Sequence, residues 1–384
     1  MNLLRFNDKL LRYELLLVVY ILSSIFFLLP SVIEGDINNY RIFSSSFQLL
    51  IRHENLYTEH PEYYWDFYRY TPTFAVLMAP FALFPEYIGV FLWSSLNALA
   101  LFWGVKSIFK DNERKGSLVL WIILIELITS LQNCQSNALV AGLMLLSFAS
   151  FQRHDSIRAS FFTTLNFFIK IYGFASAALF FLYPKKLKFI GFSLMWMIIL
   201  FLLPLVFISP EELKMEYISE FTSVSSYSTD LSIMSAVQTI TCIQFKFLYV
   251  QIFALILLLS PLIFCKYGCD EKIKFLFNCS LMIFVVSFNQ MAESPTYIIG
   301  VTGAALWFVE AEKNKFNILL FILLMSLTCL APTDFYPKYI RNNFFVPYKI
   351  KAIPLFFIWL KVQFDIWKKV YEKYTNRMFF NYHT

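Results

Sequence analysis

Along the chain, apolar positions gather into long uncharged runs separated by short charged interruptions. Residues 15–33, 87–105, 127–152, 189–210, 247–265, 275–292, 294–309 and 316–333 contain no Asp, Glu, Lys or Arg. Each approaches or exceeds the ~20 residues that an α-helix needs to cross a hydrocarbon core of ~30 Å. Repetition on this scale predicts an all-α, polytopic membrane bundle. A membrane barrel would show short alternating strands, and these runs have no period of two. After the first run, Tyr40, Phe43, Phe47 and Leu50 fall at the three-and-four spacing of one apolar helix face, predicting an amphipathic helix in the first external loop.

Composition agrees. Of 384 residues, 58% are hydrophobic and 15% charged, against roughly 45–50% apolar in soluble domains; mean hydropathy is +0.60. The expected surroundings are a lipid bilayer rather than nucleic acid. Lys and Arg orient such a chain, because short cytoplasmic loops carry the excess of positive charge. The amino terminus and residues 106–116, 152–158, 184–188, 266–274, 310–315 and 361–384 hold most of the 32 basic residues and are placed inside. This layout predicts about 12 crossings of an inner or plasma membrane with both termini cytoplasmic. It requires 72–108 to make one net crossing, its first part dipping into or lying along the membrane. It also requires 157–183 to cross twice, in short halves meeting near Lys170. A rival layout makes 72–85 a full span and 157–183 a single one, but it exports the basic loop "KSIFKDNERK".

Arg5, Lys9 and Arg12 before the first run resemble the start of a signal peptide, yet the run is too long and lacks a small-residue cleavage site, so it reads as an uncleaved span. Cys134, Cys242, Cys265, Cys279 and Cys329 lie in or beside apolar runs, and only Cys265 and Cys269 are close in sequence. They make neither a disulfide framework nor a metal site and read as packing residues. His53, His60, His154 and His383 are scattered, and there is no Gly-rich phosphate loop, H-E-x-x-H or G-x-S-x-G. No metal or cofactor is expected.

Some polar residues stand out against this background. Asp36, just beyond the first run, either caps the helix that follows or acts as a general base at the membrane surface. Lys170 interrupts an apolar stretch, at a cost of roughly 2.5–3.5 kcal/mol unless it snorkels or finds a partner. That partner is a lipid phosphate or a carboxylate such as Glu126. Arg41, Arg69, Lys338 and Arg341 are external cations suited either to phosphate or to anchoring at headgroups. Glu293, in a short loop, binds a sugar hydroxyl or faces water.

The segments "GDINNYRIFSSSFQLLIRHENLY", "YRYTPTFAVLMAPFALFP", "LWSSLNALALF", "LQNCQSNALVAGLMLLSFAS" and "LNFFIKIYGFASAALFFLYPKK", in this order and spacing, resemble the polyprenyl-phosphate-dependent mannosyltransferase-like family 87 of GT-C glycosyltransferases. The matching positions are Asp36 followed by Tyr40, the Tyr70-Thr71-Pro72 approach to a helix, Gln135 and Asn137 in a turn, and Lys170 between two short apolar halves. Cys134 stands where glycine is usual. The resemblance implies a single integral-membrane GT-C domain over 1–384, with a catalytic module in 1–200 and a variable helical module in 201–384. It further implies an inverting, metal-independent transferase that moves a hexose, mannose in the family's usual case, from a polyprenyl-phosphate donor to a glycan or glycolipid acceptor on the non-cytoplasmic side. In that reading Asp36 deprotonates the acceptor, and Lys170, Arg69 and Arg341 hold the donor phosphate. Tyr40, Tyr70, Gln135, Asn137 and Glu293 then bind sugar or acceptor. Alternatives are a flippase or transporter, which often shows two similar halves that are not seen here, and an O-antigen-type polymerase or ligase.

Overall fold

The computed structural model describes residues 8–222, 230–267 and 270–381; Arg5, Cys269 and His383 lie outside them. Every regular element among the described residues is helical. The chain divides into two compact units, Met1–Ala177 with Lys185–Tyr227, and Ala178–Pro184 with Ser228–Thr384.

The first unit opens with α1 (Tyr13–Phe26) and α2 (Leu29–Glu34), then α3 (Asn38–Ile51). After a loop come the short α4 (Pro72–Leu77) and α5 (Ala79–Ala82), followed by α6 (Glu86–Ile108), α7 (Glu113–Gln132), α8 (Asn137–Gln152) and α9 (Ser156–Ile169). A 3-10 helix begins at Ile171, and α10 (Lys186–Leu202) and α11 (Pro210–Thr222) complete the unit. Tyr40, Phe43, Phe47 and Leu50 are all buried on α3, as the spacing of apolar side chains requires. Where α6 crosses α8 the backbones nearly touch. A Cβ on Gly142 would lie 2.4 Å from the Ala100 backbone, so only glycine fits, as small residues permit in membrane helix packing. Polar ties cross the same core: the Tyr20 hydroxyl donates to the Leu120 carbonyl at 2.9 Å and Ser147 meets Thr163 at 2.7 Å.

The second unit contains α12 (Ile233–Thr241), α13 (Phe247–Leu259), α14 (Glu271–Ser287), α15 (Tyr297–Glu310), α16 (Lys315–Leu323), α17 (Lys338–Ile340) and α18 (Ala352–Asn381). Trp307 and Trp359 are buried in it. The Trp307 indole donates to Asp365 Oδ2 at 2.9 Å, and Asp365 also pairs with Lys361, so the buried ring nitrogen is satisfied.

Five described helices are long and apolar enough to span a bilayer: Tyr13–Glu34, Glu86–Ile108, Glu113–Gln132, Lys186–Val206 and Phe247–Phe264. Asn137–Gln152, Ile171–Leu182 and Lys315–Cys329 are apolar but shorter. The expected count of about 12 spans is thus not reached by helix length. The physical reason is that uncharged runs are blind to turns. Run 127–152 is broken between α7 and α8, and run 275–292 outlasts its helix, which stops at Ser287.

Candidate active site

Three local breaks build the site in the first unit. The first follows α2, where Gly35 adopts φ +74° and the Asp36 N–H donates to the Ser31 carbonyl at 2.8 Å. Glycine takes this left-handed conformation without a Cβ penalty and ends the helix. The chain then turns into α3, whose N-cap is Ile37 and lacks a side-chain cap bond. Asp36 therefore does not cap α3. Its carboxylate is exposed and has no hydrogen-bond partner among the described residues.

The second break joins α7 to α8. Cys134 adopts φ +51°, the left-handed region, at the position where the resemblance expects glycine. Asn39 Nδ2 donates to the Asn133 carbonyl at 2.9 Å and Trp93 Nε1 to the Cys134 carbonyl at 2.9 Å, which fixes this turn against α3 and α6. Burial, reinforced by the negative charge of Asp36, pushes the Cys134 thiol up to about 12.

The third break is at Lys170, extended at φ −149° where α9 stops and the 3-10 helix begins. Its Nζ donates to Asn137 Oδ1 at 2.9 Å and to Gln135 Oε1 at 3.2 Å. It also lies 5.6 Å from the Tyr70 ring centroid and 5.8 Å from that of Tyr172, within reach of cation–π attraction. The Tyr172 hydroxyl donates to Asn137 Oδ1 at 2.7 Å, and Tyr70 approaches Gln135 Oε1 at 3.4 Å. Asn137 Nδ2 is buried without an acceptor, a demand worth roughly 1–3 kcal/mol. Tyr70, Gln135, Asn137 and Lys170 therefore form one cluster. Tyr172 belongs to it, although its sequence gave no sign beyond lying two residues after Lys170.

The other expected residues sit elsewhere. Tyr40 is buried, its hydroxyl donating to the Phe81 carbonyl at 3.1 Å; burial and the charge of Glu86 push its phenol well above the usual range. Arg69 pairs with Asp66 at 2.9 Å, and Arg41 with Glu86 at 2.9 Å. Glu293 and Arg341 belong to the second unit, where Glu293 forms a capping box with Thr296 and Arg341 pairs with Asp334 at 2.8 Å. His60 is not isolated: its Nδ1 lies 3.3 Å from Glu62 and its Nε2 donates to the Asn55 carbonyl at 2.8 Å. Potential ligand atoms of Glu54, His60 and Glu62 fall within 4.8 Å of one another, on a loop where both carboxylates are exposed.

The family model for glycosyltransferase family 87 matches residues 67–332, more than half of the sequence. The chain belongs to glycosyltransferase family 87. No curated protein matches it. The family 87 match contains Tyr70, Gln135, Asn137 and Lys170 as well as Glu293, whereas Asp36 precedes it and Arg341 follows it. With its long apolar helices, this family 87 glycosyltransferase is an integral membrane protein.

Proposed function

We propose that the protein is an inverting glycosyltransferase that takes a hexose, mannose in the first instance, from a polyprenyl-phosphate donor and adds it to a glycan or glycolipid on the non-cytoplasmic side. Asp36 accepts the proton of an acceptor hydroxyl. The hydroxyl oxygen attacks the anomeric carbon as the bond from that carbon to the phosphate oxygen breaks, and the electron pair leaves on polyprenyl phosphate. The transition state gains most from a preorganised cation at the departing phosphate. Lys170 fills that role, oriented by Gln135 and Asn137, with Tyr70 and Tyr172 as aromatic walls.

The observation that carries this reading is the exposed Asp36 carboxylate, uncommitted to the helix cap, in the same compact unit as the Lys170 cluster. The distribution of Lys and Arg supports the side assignment. The decisive experiment incubates protein in lipid nanodiscs with a panel of radiolabelled polyprenyl-phosphate sugars and acceptor lipids. Transfer by the wild type and its loss in Asp36→Asn are expected; equal turnover by the variant overturns the base assignment.

A further inference from the structure

Beside Asp36 lies a second polar region that the chemistry above does not use. A cleft of about 360 Å³ runs along α3, lined among others by Arg41, Ser44, Gln48, Glu62, Tyr63 and Glu86. Arg41, Ser44 and Gln48 are spaced three and four apart, so they form one stripe of α3. They remain partly accessible while Phe43, Phe47 and Leu50 are buried. The Arg41 guanidinium joins this cleft to the base: it donates to the Gly35 carbonyl at 3.3 Å, one residue before Asp36, and pairs with Glu86.

The lining chemistry is selective. One guanidinium against the carboxylates of Glu62 and Glu86 leaves an acidic balance, which disfavours a phosphate. Hydroxyl, amide and carboxylate groups at short intervals offer alternating donors and acceptors, and Tyr63 adds a ring face. A volume of this size lies within the range of small-ligand sites. We infer that this cleft binds the saccharide of the acceptor, a neutral, hydroxyl-rich glycan, while the donor phosphate is held at Lys170. The inference rests on the transferase reading of Asp36. The two substrates are thereby separated by charge, and Arg41 ties the cleft to the residue that precedes Asp36.

The test does not require turnover. Full-length protein in fluorescent nanodiscs is applied to an array of neutral glycans printed beside sulfated and phosphorylated ones, and binding of tritiated undecaprenyl phosphate is measured in parallel. The wild type retains neutral glycans. Ser44→Trp, which fills the cleft, loses them, and Gln48→Ala weakens retention by roughly an order of magnitude, the effect of losing one or two hydrogen bonds. Both variants bind undecaprenyl phosphate as the wild type does, which shows that they are folded, and Asp36→Asn keeps its glycan binding. No retained glycan, a preference for the anionic glycans, or retention indifferent to both substitutions overturns the assignment. Unchanged transfer by Asp36→Asn, with glycan retention still lost in Ser44→Trp, would count against the Asp36 reading alone.

Discussion

Asp36 and Glu216 are both carboxylates of the first unit, and the fold treats them in opposite ways. Asp36 stands exposed after α2, its carboxylate without a hydrogen bond among the described residues. Glu216, on α11, is 8% exposed and accepts the Leu56 N–H at 3.2 Å. Burial pushes its carboxyl up to about 7, with the neighbouring Glu212 adding to the shift. Glu220 on the same helix is also raised to about 7 by burial. A carboxyl spent on a backbone amide holds a loop in place. One left open at the surface costs the fold nothing to keep and is available to a substrate.

The largest expected effect would break this contrast if it failed to appear. Asp36→Asn should lower sugar transfer by about two to four orders of magnitude, the usual worth of a general base. The thermal unfolding midpoint should not move, because no hydrogen bond is lost. Next comes Lys170, the cation proposed to hold the donor phosphate. Lys170→Ala should raise the KM for the polyprenyl-phosphate donor by roughly ten- to a hundredfold, the equivalent of one charged hydrogen bond, and leave the acceptor KM alone; an unaltered donor KM would return Lys170 to a purely structural role.

Glu216 sharpens the other side. Its folded pKa, near 7, exceeds the ordinary value of 4.5, so between these limits the folded protein holds a proton that the unfolded chain has released. Stability therefore falls as pH rises through this window and levels off above it. Thermal unfolding in nanodiscs should give a higher midpoint at pH 5 than at pH 8. Glu216→Gln should reduce that slope without abolishing it, since Glu220 titrates in the same range; a slope unchanged by the substitution would mean that Glu216 is not buried in this way.

The smallest effect concerns Cys134, in the turn between α7 and α8. A left-handed non-glycine residue costs roughly 1–2 kcal/mol, which Cys134→Gly would relieve while losing a small buried thiol. The net change in unfolding free energy should stay within about 1 kcal/mol. Cys134→Val, β-branched in the same conformation, should be clearly destabilising. Equal stability of the two variants would deny that backbone conformation governs this position.

Much of this organisation was legible in the residues themselves. Helical, membrane-embedded character follows from run length and charge, and Lys170 announces its own break because a charge in an apolar run demands one. The Gln135 and Asn137 pairing with Lys170 was not foreseen: the residues are far apart in sequence, the resemblance gave them separate roles, and a carboxylate such as Glu126 was the expected protein partner. Tyr172 escaped notice for a conformational reason: residues two apart share a side in extended backbone, and Lys170 is extended where a helix was expected to bend. The capping alternative for Asp36 could not be decided earlier because a one-residue shift of the helix start, to Ile37, separates a cap from a free carboxylate. Arg341 finds Asp334 seven residues earlier in sequence, before the start of α17, and the intervening chain gives no periodic signature.

The buried thiols have a practical consequence for membrane topology. Cys134, Cys279 and Cys329 are enclosed, whereas Cys242 is exposed. Impermeant maleimides should bypass the enclosed three, so replacing Cys242, together with Cys265 and Cys269, would give a quiet background. Single reporter cysteines at Glu59 and Asn112 could then reveal on which face of the bilayer each loop emerges.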